Sequence, residues 1–193
     1  MSDNKKTLRS LRALKVFVIF GFPLLGALYF YQFTGQKNDR AVPFRTFHVP
    51  VSQLETPLGE KVTLTFKEPI TIVNFWATWC PPCVEEFPAM IELQRQMEGR
   101  GVEILFVSED DSWEAVQSFM KANRIDVAPR RLFRDADKSI AKLWGSDKFP
   151  ETYVVRQDGW VVEKIVGAQR WTRPAVVEYF QGLAEKFSLK KSL

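Results

Sequence analysis

The sequence predicts an α/β fold, a central mixed β-sheet flanked by helices, preceded by an N-terminal transmembrane helix. Three observations predict it. Apolar runs of strand length alternate with amphipathic stretches of helix length in the order β-α-β-α-(β)-α-β-β-α, a layered sheet-and-helix pattern. One of these runs, Ile70 to Trp76, passes directly into Cys80-Pro81-Pro82-Cys83 and a helix. An uncharged stretch of 18 residues, Val16 to Phe33, precedes everything else.

Residues 1 to 15 read as a cytoplasmic basic segment. They hold Lys5, Lys6, Arg9, Arg12 and Lys15 against Asp3, five of the chain's 27 basic and one of its 23 acidic residues. The remainder therefore carries 22 of each sign, and the net charge of +4 belongs to the N-terminus. No basic face is left to track phosphates, which excludes a nucleic-acid partner. Residues 16–33, as a helix, would span roughly 27 Å, against about 30 Å of bilayer hydrocarbon. Gly21, Pro23 and Gly26 are tolerated in a membrane helix, and Tyr29, Phe30 and Tyr31 suit the far interface. The boundary after Tyr31 offers no small-x-small cleavage site. The cations in front orient a single-pass, uncleaved anchor, with the N-terminus cytoplasmic and the rest exported to an oxidising compartment.

Thr34 to Pro43 is polar and charged, and residues 34–48 read as a tether, with the folded domain spanning 49–187 and a tail at 188–193. Val49 to Phe66, broken by Pro57 and Gly59, reads as a small hairpin or edge element. Ile70–Trp76 is a buried strand, and the helix after the cysteines ends near Gly99 to Gly101. Glu103 to Ser108 is a second strand. Asp111 and Glu114 suggest a capping box for a helix from Ser112 to Asn123. Val127 to Phe133 is weakly extended, and Ser139 to Trp144 a short helix. Thr152–Val155 and Val161–Val166 flank Asp158-Gly159 as a hairpin. Thr172 caps a last helix to about Phe187, with Pro174 in its first turn.

The chain has two cysteines in 193 residues, three apart. A bridge between them closes almost no loop, so it contributes little as a structural staple and reads as a pair made and broken in redox chemistry. At the start of a helix the Cys80 thiolate is favoured by the helix end, which lowers its pKa and marks it as nucleophile. Pro81 and Pro82 cost no helical hydrogen bonds there. Cys83, one turn on, is the resolving thiol, and the exchange needs no cofactor beyond the Cys80–Cys83 disulfide. With Phe87 set at zero on a helical wheel, Met90, Ile91, Leu93 and Met97 lie between about −120° and +40°. Glu86 falls near −100°, within that stripe, while Glu85 points away. A buried acid beside the thiols would have a raised pKa and could trade protons with them.

The segment Asn74-Phe75-Trp76-Ala77-Thr78-Trp79-Cys80-Pro81-Pro82-Cys83-Val84-Glu85-Glu86-Phe87-Pro88 resembles the active-site segment of TlpA/ResA/DsbE-type proteins. These are membrane-tethered thioredoxin-like thiol–disulfide oxidoreductases, several of which serve cytochrome c maturation. Phe149-Pro150-Glu151-Thr152-Tyr153-Val154-Val155, followed by Asp158-Gly159, resembles their second signature. The likeness runs from about Val51 to Phe187. It implies a thioredoxin-like fold, a redox pair at Cys80 and Cys83, and a functional acid at Glu86. It also implies a cis peptide at Pro150, which would pack beside the disulfide and present backbone to substrate. One departure is the stretch Trp144 to Phe149, where the family has a small, glycine-rich approach; the bulky Phe149 predicts a narrowed or redirected docking surface. Trp79, Pro81, Pro82, Phe149 and Pro150 are the expected substrate-binding residues. Implied partners are exported protein disulfides or thiols, and a membrane thiol–disulfide electron carrier as reductant. The catalytic domain is expected in the periplasm, held to the inner membrane by residues 16–33.

Two other chemistries compete. A copper metallochaperone could use the reduced pair as a soft site, and a disulfide donor would run the same exchange in the oxidising direction. The single histidine, His48, falls beside the tether and reads as a solvated loop residue. Two cysteines and one histidine cannot fill four zinc positions, so no metal site is expected. A peroxidase of this fold would want threonine three residues before a lone cysteine, where Ala77 stands. Glu109-Asp110-Asp111 reads as a strand-end loop leading into a helix cap.

Overall fold

The computed structural model describes residues 46–189. The expected basic segment, the membrane anchor, most of the tether and residues 190–193 lie outside them. Among the described residues no helix is long and apolar enough to cross a membrane.

Eight strands form one mixed sheet: β1 (Phe47–His48), β2 (Gln53–Glu55), β3 (Lys61–Thr63), β4 (Ile70–Trp76), β5 (Val102–Ser108), β6 (Leu132–Arg134), β7 (Glu151–Arg156) and β8 (Trp160–Val166), in spatial order β1-β8-β7-β4-β5-β6-β2-β3. Among the described residues four α-helices accompany them: α1 (Pro81–Gln96), α2 (Trp113–Asn123), α3 (Ser139–Leu143) and α4 (Pro174–Leu189). Strand β4 is central, parallel to β5 and antiparallel to β7, and all seven of its residues are buried. That explains why it reads as a near-continuous apolar run, interrupted by Thr71 and Asn74, rather than an alternating one.

Alternate residues of β4 serve two cores. Ile70, Ile72 and Trp76 pack with Phe87, Met90 and Leu93 of α1 and Phe180 and Ala184 of α4. Val73 and Phe75 face Ile140 and Ala141 of α3, Trp144 and Tyr153 on the other side. At the β7–β8 turn, Gly159 has φ +82°, and a Cβ there would lie 2.7 Å from the His48 ring. Both the backbone conformation and this close approach require glycine.

Some local readings need correction. Phe47 and His48, placed in the tether, form β1 and pair with Val161 and Trp160. His48 is thus a strand residue whose ring contacts the Asp158 carbonyl at 2.9 Å and the Trp160 ring edge-on. The cap of α2 is Ser112, whose hydroxyl accepts the Ala115 N–H at 3.3 Å, and not Asp111. Asp111 is drawn instead to Lys138, at 2.5 Å. Thr172 lies in the turn before Arg173, and α4 begins at Pro174, so Arg173 and not Thr172 flanks the helix. The stretch Val127–Phe133 contains a 3-10 turn, Pro129–Arg131, before the short β6.

Candidate active site

Strand β4 ends at Trp76, and the chain turns through Ala77 to Trp79 before α1 begins. Cys80 is the residue that flanks α1, with extended backbone and Pro81 and Pro82 at the first two helical positions. Its sulfur is bonded to that of Cys83, with the two Cα atoms 5.3 Å apart. The prolines remove two of the amide donors that a helix start normally offers. Of the first three helical residues, Cys83 alone retains an N–H to stabilise a Cys80 thiolate. Cys80 and Cys83 are both buried, whereas Pro81 and Pro82 are exposed and Trp79 is 58% exposed.

Glu86 sits one turn beyond Cys83 on the buried face of α1, as its place on the helical wheel predicts, and is 5% exposed. Its Oε2 accepts the Trp171 indole N–H and the Gln169 backbone N–H, each at 2.8 Å. Its Oε1 receives a long contact from the Asn74 amide at 3.5 Å, and that amide donates better to Thr152 Oγ1 at 3.0 Å. Burial pushes the Glu86 carboxyl above its ordinary value, and these three donors pull the other way without cancelling it.

The Phe149–Pro150 peptide is cis. Pro150 directly precedes β7, whose first residue, Glu151, is opposite Phe75 near the end of β4. The antiparallel register therefore brings this proline to the end of the sheet where Cys80 lies, the usual location for sites in open α/β sheets. Phe149 packs edge-on against Trp79, ring centroids 6.0 Å apart, so the two bulky side chains form one rim. Pro150 itself is buried.

Below the proline, Glu151 is buried and ion-paired to Lys164 Nζ at 3.0 Å. The same ammonium donates to the Gly145 carbonyl at 2.7 Å, and the Ser146 hydroxyl donates to Glu151. The Tyr153 hydroxyl donates to the Trp144 carbonyl at 3.1 Å. These contacts fix the unusual Trp144–Phe149 approach to the proline.

Several residues around the site escaped the sequence reading. Trp171 and Gln169 reach Glu86 from 85 and 83 positions away, a contact with no local signature. Asn74 did leave a signal, as the one amide side chain in a buried, largely apolar strand. Glu109 and Asp110, read only as part of a strand-end loop, are 2% and 1% exposed.

The AhpC/TSA family model matches residues 43–164. A thiol-disulfide oxidoreductase ResA from a strain of Bacillus cereus is 32% identical over 168 residues, 85% of this chain and 92% of that protein. The thiol:disulfide interchange protein HelX from Rhodobacter capsulatus is 31% identical over 163 residues, covering 82% and 88% of the two chains. Among solved structures, StoA from Bacillus subtilis superposes with a TM-score of 0.55 at 21% identity, over 70% of this chain and 96% of that one. The thioredoxin domain of a thiol-disulfide oxidoreductase from Bacteroides vulgatus gives 0.59 at 19% identity, over 72% and 96%. With a disulfide-bonded cysteine pair just past the end of the central strand and these relatives, the chain belongs to the AhpC/TSA family as a thioredoxin-like thiol–disulfide oxidoreductase.

Proposed function

We propose that this protein is an extracytoplasmic reductase of specific protein disulfides, held to the inner membrane by residues 16–33 with its N-terminus in the cytoplasm. The reading rests above all on one observation: a buried Cys80–Cys83 pair at the start of α1 with a buried acid, Glu86, one turn on. In the reduced protein, the Cys80 thiolate attacks one sulfur of the client disulfide. A mixed disulfide forms and the client's other sulfur leaves as a thiolate, which takes a proton. Cys83 then loses its proton to Glu86 and attacks Cys80, releasing the second client sulfur and closing the Cys80–Cys83 disulfide. Two electrons pass to the client; its first departing thiolate takes a proton from water, and its second takes the Cys83 proton that Glu86 held.

Trp79 and Phe149 form the docking rim, Pro81 and Pro82 stiffen the turn, and Pro150 presents backbone beside the disulfide. A membrane thiol–disulfide carrier returns the electrons. By analogy with the family that the two motifs resemble, the clients are cytochrome c apoproteins or copper-site assembly proteins. The basic run before an uncharged stretch supports the orientation.

Equilibrating the protein in glutathione or dithiothreitol buffers tests the direction of electron flow. A reduction potential at or below about −230 mV is expected of a reductase. A value near about −120 mV would make the protein a disulfide donor. Tight Cu(I) binding with sluggish exchange would replace both by metal carriage.

A further inference from the structure

Under the redox loop lies a group of acids that disulfide exchange does not use. Glu109, Asp110 and Asp135 are each no more than 2% exposed, just past the ends of β5 and β6. Asp110 holds the Cys80 side of the site. Its two oxygens lie 3.2 and 3.1 Å from the Thr78 backbone N–H, and it accepts the Thr78 hydroxyl at 2.6 Å and the Ser108 hydroxyl at 2.8 Å. Asp135 holds the opposite side. Its Oδ2 accepts the Ile140 and Ala141 amides at 2.8 and 2.9 Å, which fixes the start of α3 and hence the chain that continues to Phe149 and Pro150.

Glu109 stands between the two. Its N–H donates to the Trp76 carbonyl at 2.8 Å, and its carboxyl faces that of Asp135. Glu109 Oε1 and Asp135 Oδ1 are buried with no N–H or hydroxyl donor. Two ionised carboxylates in that arrangement would repel and leave both oxygens unsatisfied. A single proton between them satisfies both.

We propose that Glu109 is a positioning residue for the dithiol: in its neutral form it bridges to Asp135 and locks the Thr78–Cys80 loop to the wall that carries Phe149 and Pro150. The inference rests on the exchange reading of Cys80 and Cys83. The other charges facing the pair are Asp110, Asp137 and Lys138. Lys138 opposes protonation of Glu109, but it is shared with the exposed Asp111. Burial, reinforced by the Asp135 charge, pushes the Glu109 carboxyl up to about 8. The bridge is therefore closed at neutral pH and opens in alkali.

The test uses the full-length reduced protein and Glu109→Gln, whose amide keeps a donor for Asp135 at every pH. Two reactions are followed from about pH 7 to about pH 9: reduction of a synthetic peptide closed by a Cys-x-x-Cys disulfide, and alkylation of Cys80 by iodoacetamide. The bridged fraction falls from about nine-tenths to about one-tenth over that range, so the wild-type KM for the peptide rises about tenfold while that of Glu109→Gln stays level. Alkylation reports the thiolate alone and follows one pH curve in both proteins. Equal KM profiles overturn the inference and leave the exchange reading standing. Failure of both proteins to reduce the peptide at any pH overturns the exchange reading and the inference with it. Carboxyl 13C titration of wild-type Glu109 checks the bridge without any variant: a midpoint near 8 is expected, and one in the ordinary glutamate range overturns it.

Discussion

Glu86 carries two opposed influences that single substitutions can separate. Burial favours its neutral form, while the Trp171 indole and the Gln169 amide favour the anion. Glu86→Gln removes the proton acceptor but keeps the volume. Attack by Cys83 on the mixed disulfide should slow by about 100-fold, the lower end for general acid–base participation, as read by stopped-flow fluorescence. Trp171→Phe deletes one donor to the carboxylate and leaves Glu86 in place. The acid limb of the pH–rate profile should then move to higher pH, and stability should fall by about 2 kcal/mol, typical of a lost hydrogen bond to a charged group. An unmoved limb in Trp171→Phe would show that Glu86 does not govern the rate.

At the scale of elements, the β7–β8 hairpin and the Trp144–Phe149 segment are joined by the ion pair of half-buried Lys164 with buried Glu151. Lys164→Met leaves Glu151 buried without its counter-charge and should cost about 3–5 kcal/mol in guanidinium unfolding, whereas the Lys164→Met, Glu151→Gln double variant should recover much of that loss. Equal losses in the single and double variants would remove the pair from the account of this loop. Elements of this kind show how far the sequence could be read. Strand β4, α1 and the β7–β8 hairpin were legible because each carries its own local pattern: an apolar run, a wheel with Glu86 on the buried side, and Asp158-Gly159 at the turn. The cis peptide at Pro150 was legible only through the family resemblance, since a proline before a strand looks like any turn proline. Ser112 and Asp111 are adjacent and both competent to cap. Only the competing attraction of Lys138, 27 residues on, decides that Asp111 turns away. The burial of Glu109 and Asp135 was hidden for the same reason, because the group forms only when β5 and β6 lie side by side.

For the whole molecule, the buried acids set the pH dependence of folding. Glu109 is pushed from 4.5 up to about 8. Between those values the unfolded chain has released the proton and the folded chain retains it, so stability falls as pH rises, by about 1.4 kcal/mol per unit at most. Glu86 and Asp135, also raised by burial, act in the same sense above their ordinary values. The contribution is complete below pH 4.5 and spent once the pH has passed about 8. Unfolding of the oxidised protein in guanidinium, where no thiol titrates, should therefore show a lower midpoint at about pH 8 than at about pH 5.5. A midpoint that rises over this interval would mean that these carboxyls ionise normally.

Strand β4 is hydrogen-bonded on both sides and covered on both faces, so its amide protons have no local route to solvent. Exchange at Val73 with deuterium then proceeds only through opening of the entire fold. Because the dithiol and the disulfide are two states of the same chain, the ratio of Val73 exchange rates in the two states equals the ratio of their opening equilibria. Thermodynamic linkage makes that ratio a measure of how far folding itself moves the redox couple, at about 30 mV for every 1.4 kcal/mol. A single buried amide in the central strand can thus act as a voltmeter for the cysteines at its end.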